Sequence, residues 1–121
     1  MPDINKMKIH IYADGADLES IKRSKQIPYI KGFTTNPTLM RQAGVTDYEA
    51  FAKEAIEIVD GAPLSLEVFS DDFAEMEVQA RKIASWGSNV NVKIPITNTK
   101  GKPSKDLVKS LSDDGIICNV T

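Results

Sequence analysis

Short runs rich in β-branched residues alternate with helical segments along this chain, and that alternation is the strongest constraint on its fold. The runs cover 8–14, 31–35, 64–69, 90–96 and 116–120. Between them, apolar residues recur at the three- and four-residue spacing of an amphipathic helix. The resulting order, β-α-β-α-β-α-β-α-β, predicts a parallel sheet whose strands are joined by right-handed helical crossovers.

Capping residues and prolines indicate where the four helices begin and end. The first must end before Pro28, and Gly115 ends the fourth. A short additional helix over 38–43, just after Pro37, is also compatible with the sequence. The residues that could open the four main helices are Asp17, Thr46 or Asp47, Ser70 or Asp71, and Pro103.

Two α/β architectures fit this order, and both treat the 121 residues as a single domain, 1–121. One is a five-stranded doubly wound sheet. The other is a partial (β/α)8 TIM barrel that contains the first five strands and four helices. Eight units at the observed strand spacing would need roughly 200 residues, which is a usual size for a complete barrel.

The two faces of the predicted strands differ in polarity, because successive side chains point to opposite sides of a strand. One face is mainly aliphatic. The other collects polar side chains toward the carboxyl ends, among them Glu67, Lys93, Asn119 and Thr121. A doubly wound sheet would cover both faces with helices and bury these charges at a cost of several kcal/mol each. The polarity therefore favours the barrel.

Lys93 stands out because it lies inside an apolar strand, in Val-Asn-Val-Lys-Ile-Pro. It could form a structural ion pair with a carboxylate such as Glu67, since lysine is almost never buried unpaired. It could also be an amine nucleophile that attacks a carbonyl to form a Schiff base. Asp14 and Glu67 would then transfer protons, although Asp14 could equally be a turn residue before Gly15. The residues alone leave these alternatives open.

Composition argues against several other classes of protein. The net charge is -2, which does not favour nucleic acid or an anionic membrane as a partner. Cys118 and His10 are the only residues of their types, so the sequence indicates no disulfide framework and no metal centre. His10 is expected to be a satisfied interior residue, and Cys118 a core thiol. The chain shows no membrane-spanning run and no signal-peptide core, so we expect a cytoplasmic protein.

Four short motifs resemble the transaldolase family, which includes the small transaldolases and the fructose-6-phosphate aldolases. The resemblance runs from about residue 8 to the last residue, and Asp14 at the end of the first strand adds to it. The motifs occur in the family's order and spacing. They are Phe33-Thr34-Thr35-Asn36-Pro37-Thr38, Ser65-Leu66-Glu67-Val68, Val92-Lys93-Ile94-Pro95 and Asn119-Val120-Thr121.

The resemblance implies a TIM barrel and a Schiff-base mechanism that needs neither a metal nor an organic cofactor. Lys93 matches the Schiff-base lysine, and Asp14 matches the acid/base aspartate. Glu67 matches the glutamate that works with a water molecule, and Thr121 matches the threonine that positions this water. The aldolase branch tends to carry glutamine where Glu67 stands, so the glutamate favours a transaldolase.

The same resemblance implies a substrate and a pathway. Asn36, Thr34 and Asn119 match positions that line the substrate pocket. The implied reaction transfers a dihydroxyacetone unit between sugar phosphates, within the pentose phosphate pathway of carbohydrate metabolism. A fructose-6-phosphate aldolase-like lyase is the nearest alternative.

The chain differs from the family pattern in one large respect. The family's barrel has eight strands, whereas five are predicted here, and the family's phosphate-binding Arg and Ser have no counterpart. An open half-barrel would expose strand edges and apolar surface. We therefore also consider a non-catalytic, self-associating half-barrel, and we expect a homo-oligomer.

Overall fold

A computed structural model describes residues 3, 6–15, 17–35 and 37–121 of the chain. Helices and strands alternate as the sequence predicts. The strands are β1 (Ile11–Asp14), β2 (Ile30–Thr34), β3 (Leu64–Glu67), β4 (Val90–Ile94) and β5 (Cys118–Val120). The helices are α1 (Leu18–Lys25), α2 (Pro37–Gln42), α3 (Tyr48–Val59), α4 (Phe73–Ala84) and α5 (Lys105–Asp113). The short α2 confirms the additional helix that the sequence allows after Pro37.

The strand order distinguishes between the two predicted architectures. The strands form one sheet in the order β1-β2-β3-β4-β5, and the pairs β1–β2 and β4–β5 are parallel. In a doubly wound sheet the strand order reverses at a switch point, which gives orders such as 2-1-3-4-5. Consecutive strands joined by helices are instead the topology of the first five strands of a (β/α)8 barrel. The prediction of a partial barrel is confirmed.

Three of the helices begin at an aspartate N-cap. Asp17 accepts a hydrogen bond from the Ser20 amide at 2.7 Å, and Asp47 accepts one from the Ala50 amide at 3.1 Å. The N-cap of α4 is Asp72, which bonds the Glu75 amide at 3.1 Å. Each cap satisfies one of the amides that a helix leaves unpaired in its first turn.

The chain consists of two compact units, and the first is Met1–Leu64. Its core lies where α1 and α3 pack together beside β1 and β2. Ile21 of α1 and Phe33 of β2 are fully buried there, and so is the stripe Ala52, Ala55 and Val59 of α3. The ammonium group of Lys25 donates to the Val59 carbonyl at 2.9 Å and so satisfies one acceptor at the end of α3.

The second unit is Ser65–Thr121. Its core confirms the polarity pattern of the strands, because the aliphatic residues of β3 and β4 are buried. Those residues are Leu66, Val90, Val92 and Ile94, and Val68, which follows the last residue of β3, is buried with them. Met76, Ala80 and Ile83 of α4 and Leu107 and Leu111 of α5 complete the set. The intervening residues of β4, Asn91 and Lys93, are only partly buried, as expected of the polar face.

The structure corrects three local predictions. β1 begins at Ile11 rather than at residue 8, so His10 lies before the strand and is exposed instead of interior. Helix α4 begins at Phe73 behind the Asp72 cap, not at Ser70 or Asp71. Cys118 is half-buried rather than a core thiol.

Gly32 is required by the close approach of an aromatic ring. A Cβ atom at this position would lie 2.6 Å from the Tyr12 ring, which belongs to the residue that pairs with Gly32 across β1 and β2. We therefore expect Gly32→Ala to lower the free energy of unfolding by about 1–3 kcal/mol through overpacking. Chemical denaturation measures this loss. In a Tyr12→Ala background the same substitution should cost little, and an equal loss in both backgrounds would contradict this explanation.

Candidate functional site

Strands β3 and β4 bring Glu67 and Lys93 together in the second unit. The Val68 amide, directly after β3, donates to the Lys93 carbonyl of β4 at 3.3 Å and so joins the two segments at this level. The Lys93 ammonium nitrogen lies 4.0 Å from Glu67 Oε2. The side chains are 13% and 20% exposed, so this ion pair is largely removed from solvent but still reachable. The pairing predicted from the sequence is present.

Burial raises the pKa of Glu67 above its ordinary value, and the positive charge of Lys93 opposes that shift without cancelling it. A carboxyl group with a raised pKa exchanges its proton more readily near neutral pH, which suits an acid/base group. A protonated Glu67 also holds the Lys93 ammonium less strongly. The arrangement of the two side chains suits both a structural ion pair and acid/base chemistry at Glu67.

Strand β5 adds Asn119 and Thr121 to this group. The parallel register pairs Lys93 directly with Asn119. The backbone of Thr121 is fixed to β4, since its amide donates to the Ile94 carbonyl at 2.9 Å and its carbonyl accepts from the Ile96 amide at 2.7 Å. Predicted site residues from three strands are thus collected at the carboxyl ends of β3, β4 and β5.

Ser65 is not among the predicted site residues, but it contacts one of them. Its side chain is fully buried, and its hydroxyl accepts a hydrogen bond from Nδ2 of the Asn119 side chain at 3.1 Å. This bond orients the Asn119 carboxamide with its carbonyl oxygen left to accept a donor. A usable signal was present, because Ser65 alternates with Leu64 and Leu66 and shares the polar face with Glu67.

The first unit carries a separate polar pair. Asp14 and Thr34 are register partners at the ends of β1 and β2, and the Thr34 hydroxyl donates to Asp14 Oδ1 at 2.6 Å. Asp14 does not cap a helix, since Asp17 has that role in α1. Asp14 is exposed and Thr34 half-buried. The predicted substrate residue Asn36 lies outside the described residues.

In residues 3, 6–15, 17–35 and 37–121, no group of three or more His, Cys, Asp or Glu side chains is arranged to hold a metal ion. Across the same part of the chain, every helix is too short or too polar to cross a lipid bilayer.

Comparison with known proteins identifies the family. Residues 11–121 match the family model described as Transaldolase/Fructose-6-phosphate aldolase. A protein named "Probable transaldolase" from Lactiplantibacillus plantarum is 43% identical over 110 residues, which are 91% of this chain and 48% of that protein. One of the same name from Dehalococcoides mccartyi is 35% identical over 113 residues, covering 93% of this chain and 50% of its own length.

A further "Probable transaldolase", from Streptococcus equi subsp. zooepidemicus, is 42% identical over 110 residues, with 91% of this chain and 49% of that protein covered. The chain thus spans about half the length of these curated relatives. The family match extends through β1, β2, β3, β4 and β5 and includes every site residue named above. The chain belongs to the transaldolase/fructose-6-phosphate aldolase family.

Proposed function

We propose that this chain carries the Schiff-base centre of a transaldolase, with Lys93 as the nucleophile. The observation that carries the proposal is the half-buried Lys93 amine, 4.0 Å from a carboxyl group whose pKa is raised. The amine attacks the carbonyl carbon of a ketose phosphate, water leaves and an imine forms. Cleavage of the bond between the carbons α and β to the imine carbon releases an aldose phosphate and leaves three carbons on Lys93. The retained three-carbon unit attacks an acceptor aldehyde, and water then hydrolyses the imine and regenerates Lys93.

The other residues have the roles that the family resemblance implies. Glu67 transfers protons through a water molecule that Thr121 positions, and Asp14 is the acid/base group of the first unit. Thr34, Asn36 and Asn119 contact the sugar. The chemistry needs no metal or organic cofactor. The substrates are sugar phosphates of the pentose phosphate pathway, and the proposal places the protein in the cytoplasm.

A transfer assay tests this proposal. The protein is incubated with fructose 6-phosphate and erythrose 4-phosphate, and the seven-carbon ketose phosphate is followed by mass spectrometry. We expect that product to appear only when both sugars are present. Release of free dihydroxyacetone without an acceptor would instead indicate the aldolase reaction. Glu67 supports the transferase, because the resemblance associates glutamine at this position with aldolases.

The free edge of β5 supports a second candidate function, namely association with another chain. β5 is the last strand of the sheet, and only β4 pairs with it in the described residues. Alternate residues of a parallel strand bond to one neighbour, so the backbone groups of Cys118 and Val120 point away from β4. Ile117 and Val120 are 63% and 47% exposed. Such an edge is a template for pairing with a further strand.

We expect Val120→Lys to reduce self-association, because a lysine on an edge strand opposes strand pairing. Sedimentation velocity over a range of protein concentrations measures the shift toward monomer. Val78→Lys is the matched control, since Val78 is a 70% exposed valine on α4 of the same unit. A wild-type protein that sediments only as a monomer, or equal effects of both substitutions, would argue against association through β5.

A further inference from the structure

The loop that follows β4 is a compact, internally bonded turn. The Asn98 side chain accepts hydrogen bonds from the amides of Lys100 and Lys102, each at 3.0 Å. The Asn98 amide donates to the Lys102 carbonyl at 2.9 Å, and Gly101 provides the left-handed residue with φ of 77°. These bonds hold Thr99 at the tip of a defined turn rather than in a loose segment.

Asp71 fastens this turn to the segment that follows β3. Its two carboxylate oxygens are both used: Oδ1 accepts from the Thr99 amide at 2.8 Å, and Oδ2 accepts from the Thr99 hydroxyl at 2.6 Å. The sequence offers Asp71 as a possible helix opener, but the adjacent Asp72 caps α4. Asp71 therefore does not cap α4, and its carboxylate makes a bidentate contact between two loops.

The contact joins the two strands that carry the proposed chemistry. Asp71 follows Glu67 by four residues, and Thr99 follows Lys93 by six. On the strand side, the Val68 amide bonds the Lys93 carbonyl at 3.3 Å. Two cross-links therefore lie at and beyond the Glu67–Lys93 pair, one within the sheet and one between the loops.

We propose that Asp71 is a positioning residue that, through Thr99, holds the carboxyl ends of β3 and β4 together and keeps Glu67 beside the Lys93 amine. This inference rests on the proposed function, in which that pair performs the Schiff-base chemistry. Asp71 itself does not touch the reacting atoms. Misplacing a catalytic pair by about 1 Å can cost about a hundredfold in rate, so a modest loosening of this link has a measurable effect.

The link is intact at neutral pH. The hydrogen bonds from Thr99 hold the pKa of Asp71 below its ordinary value of 3.8. A carboxylate with a lowered pKa stays ionised, and therefore remains a double acceptor, throughout the range above its ordinary pKa. Its contribution is lost only as the pH falls toward and below that lowered value.

The test compares Asp71→Ala, Thr99→Val and their combination with the wild-type protein. One readout is the rate at which borohydride traps dihydroxyacetone on Lys93. The other is the titration midpoint of Glu67, followed by carbon NMR of its carboxyl group, which needs no turnover. Asp113→Asn is the control, because it removes the same charge from an exposed i,i+4 ion pair with Lys109 in α5 of the same unit.

We expect each single substitution to slow trapping about tenfold, and the double variant to be no slower than the slower single variant, because one interaction is shared. The Glu67 midpoint should fall toward its ordinary value as water enters. Thr99→Ser, which retains both donors, should behave as wild type, and so should Asp113→Asn. Wild-type trapping rates and an unmoved Glu67 midpoint in Asp71→Ala would overturn the proposal, even if the variant were less stable.

The two readouts also separate this inference from the proposed function. If the wild-type protein traps nothing at Lys93, the proposed function fails. The Glu67 midpoint still decides the role of Asp71: a lowered midpoint in Asp71→Ala and Thr99→Val, but not in Thr99→Ser, supports positioning, and an unchanged midpoint contradicts it.

Discussion

Lys93→Met is expected to abolish transfer of the three-carbon unit, with a loss of at least about 10⁴-fold. Methionine has nearly the volume of lysine but no amine, so it fills the same space on β4 and cannot form an imine. Because Lys93 is only 13% exposed, an apolar side chain of this length fits its surroundings and the protein should remain folded. The transfer assay and a thermal unfolding curve together measure both effects.

Lys109→Met is the matched control for this prediction. Lys109 lies on α5 of the same unit, and its side chain is 72% exposed in an ion pair with Asp113. It should retain full activity, since exposed pairs of this kind contribute little even to stability. Equal activity of Lys93→Met and wild type would contradict the assignment of the nucleophile.

Glu67→Gln is expected to slow transfer by about 10²-fold or more, the usual contribution of a positioned acid/base group. Glutamine keeps the shape and one acceptor oxygen of the side chain but cannot exchange a proton. The imine to Lys93 should still form, only more slowly, so this variant should show a trapped adduct that Lys93→Met lacks. Single-turnover trapping rates measure the difference.

The same variant should change the pH dependence of stability. Burial raises the pKa of Glu67 above 4.5, so the folded protein holds this proton more tightly than the unfolded chain does. The stabilisation it provides is complete below the ordinary pKa and is lost as the pH rises through the raised one. Glu67→Gln should remove this loss of stability with rising pH. Glu57→Gln, at an exposed position on α3, should leave the pH dependence of stability unchanged. Denaturation at several pH values distinguishes the two variants.

The strand pattern was sufficient to predict the fold because β3 and β4 alternate so regularly. The aliphatic positions, Leu66, Val92 and Ile94 among them, are buried, and Glu67 and Lys93 take the opposite parity. When a carboxylate and an amine lie on the same face of two neighbouring strands and level with each other, their side chains come close together. The Glu67–Lys93 pair was therefore predictable from the sequence.

The Asp71–Thr99 contact was not predictable, because an aspartate ahead of a helix has the same local signature whether it caps that helix or bonds to a distant loop. Asp71 and Asp72 are adjacent, and only the fold decides that Asp72 is the cap. The pairing of Asp14 with Thr34 depends similarly on a shift in register between Ile11 and Tyr12, which strand propensity does not encode. Long-range partners and irregularities of register need the three-dimensional structure.

Covalent trapping shows whether the Lys93 amine forms an imine with a ketose, the step on which the proposed function depends. The wild-type protein is incubated with dihydroxyacetone, reduced with borohydride and digested, and the peptides are analysed by mass spectrometry. We expect a reduced three-carbon adduct on the peptide that contains Lys93, and none on that peptide in Lys93→Met. A folded wild-type sample with no adduct, or with the adduct spread over surface lysines such as Lys109, would contradict this expectation.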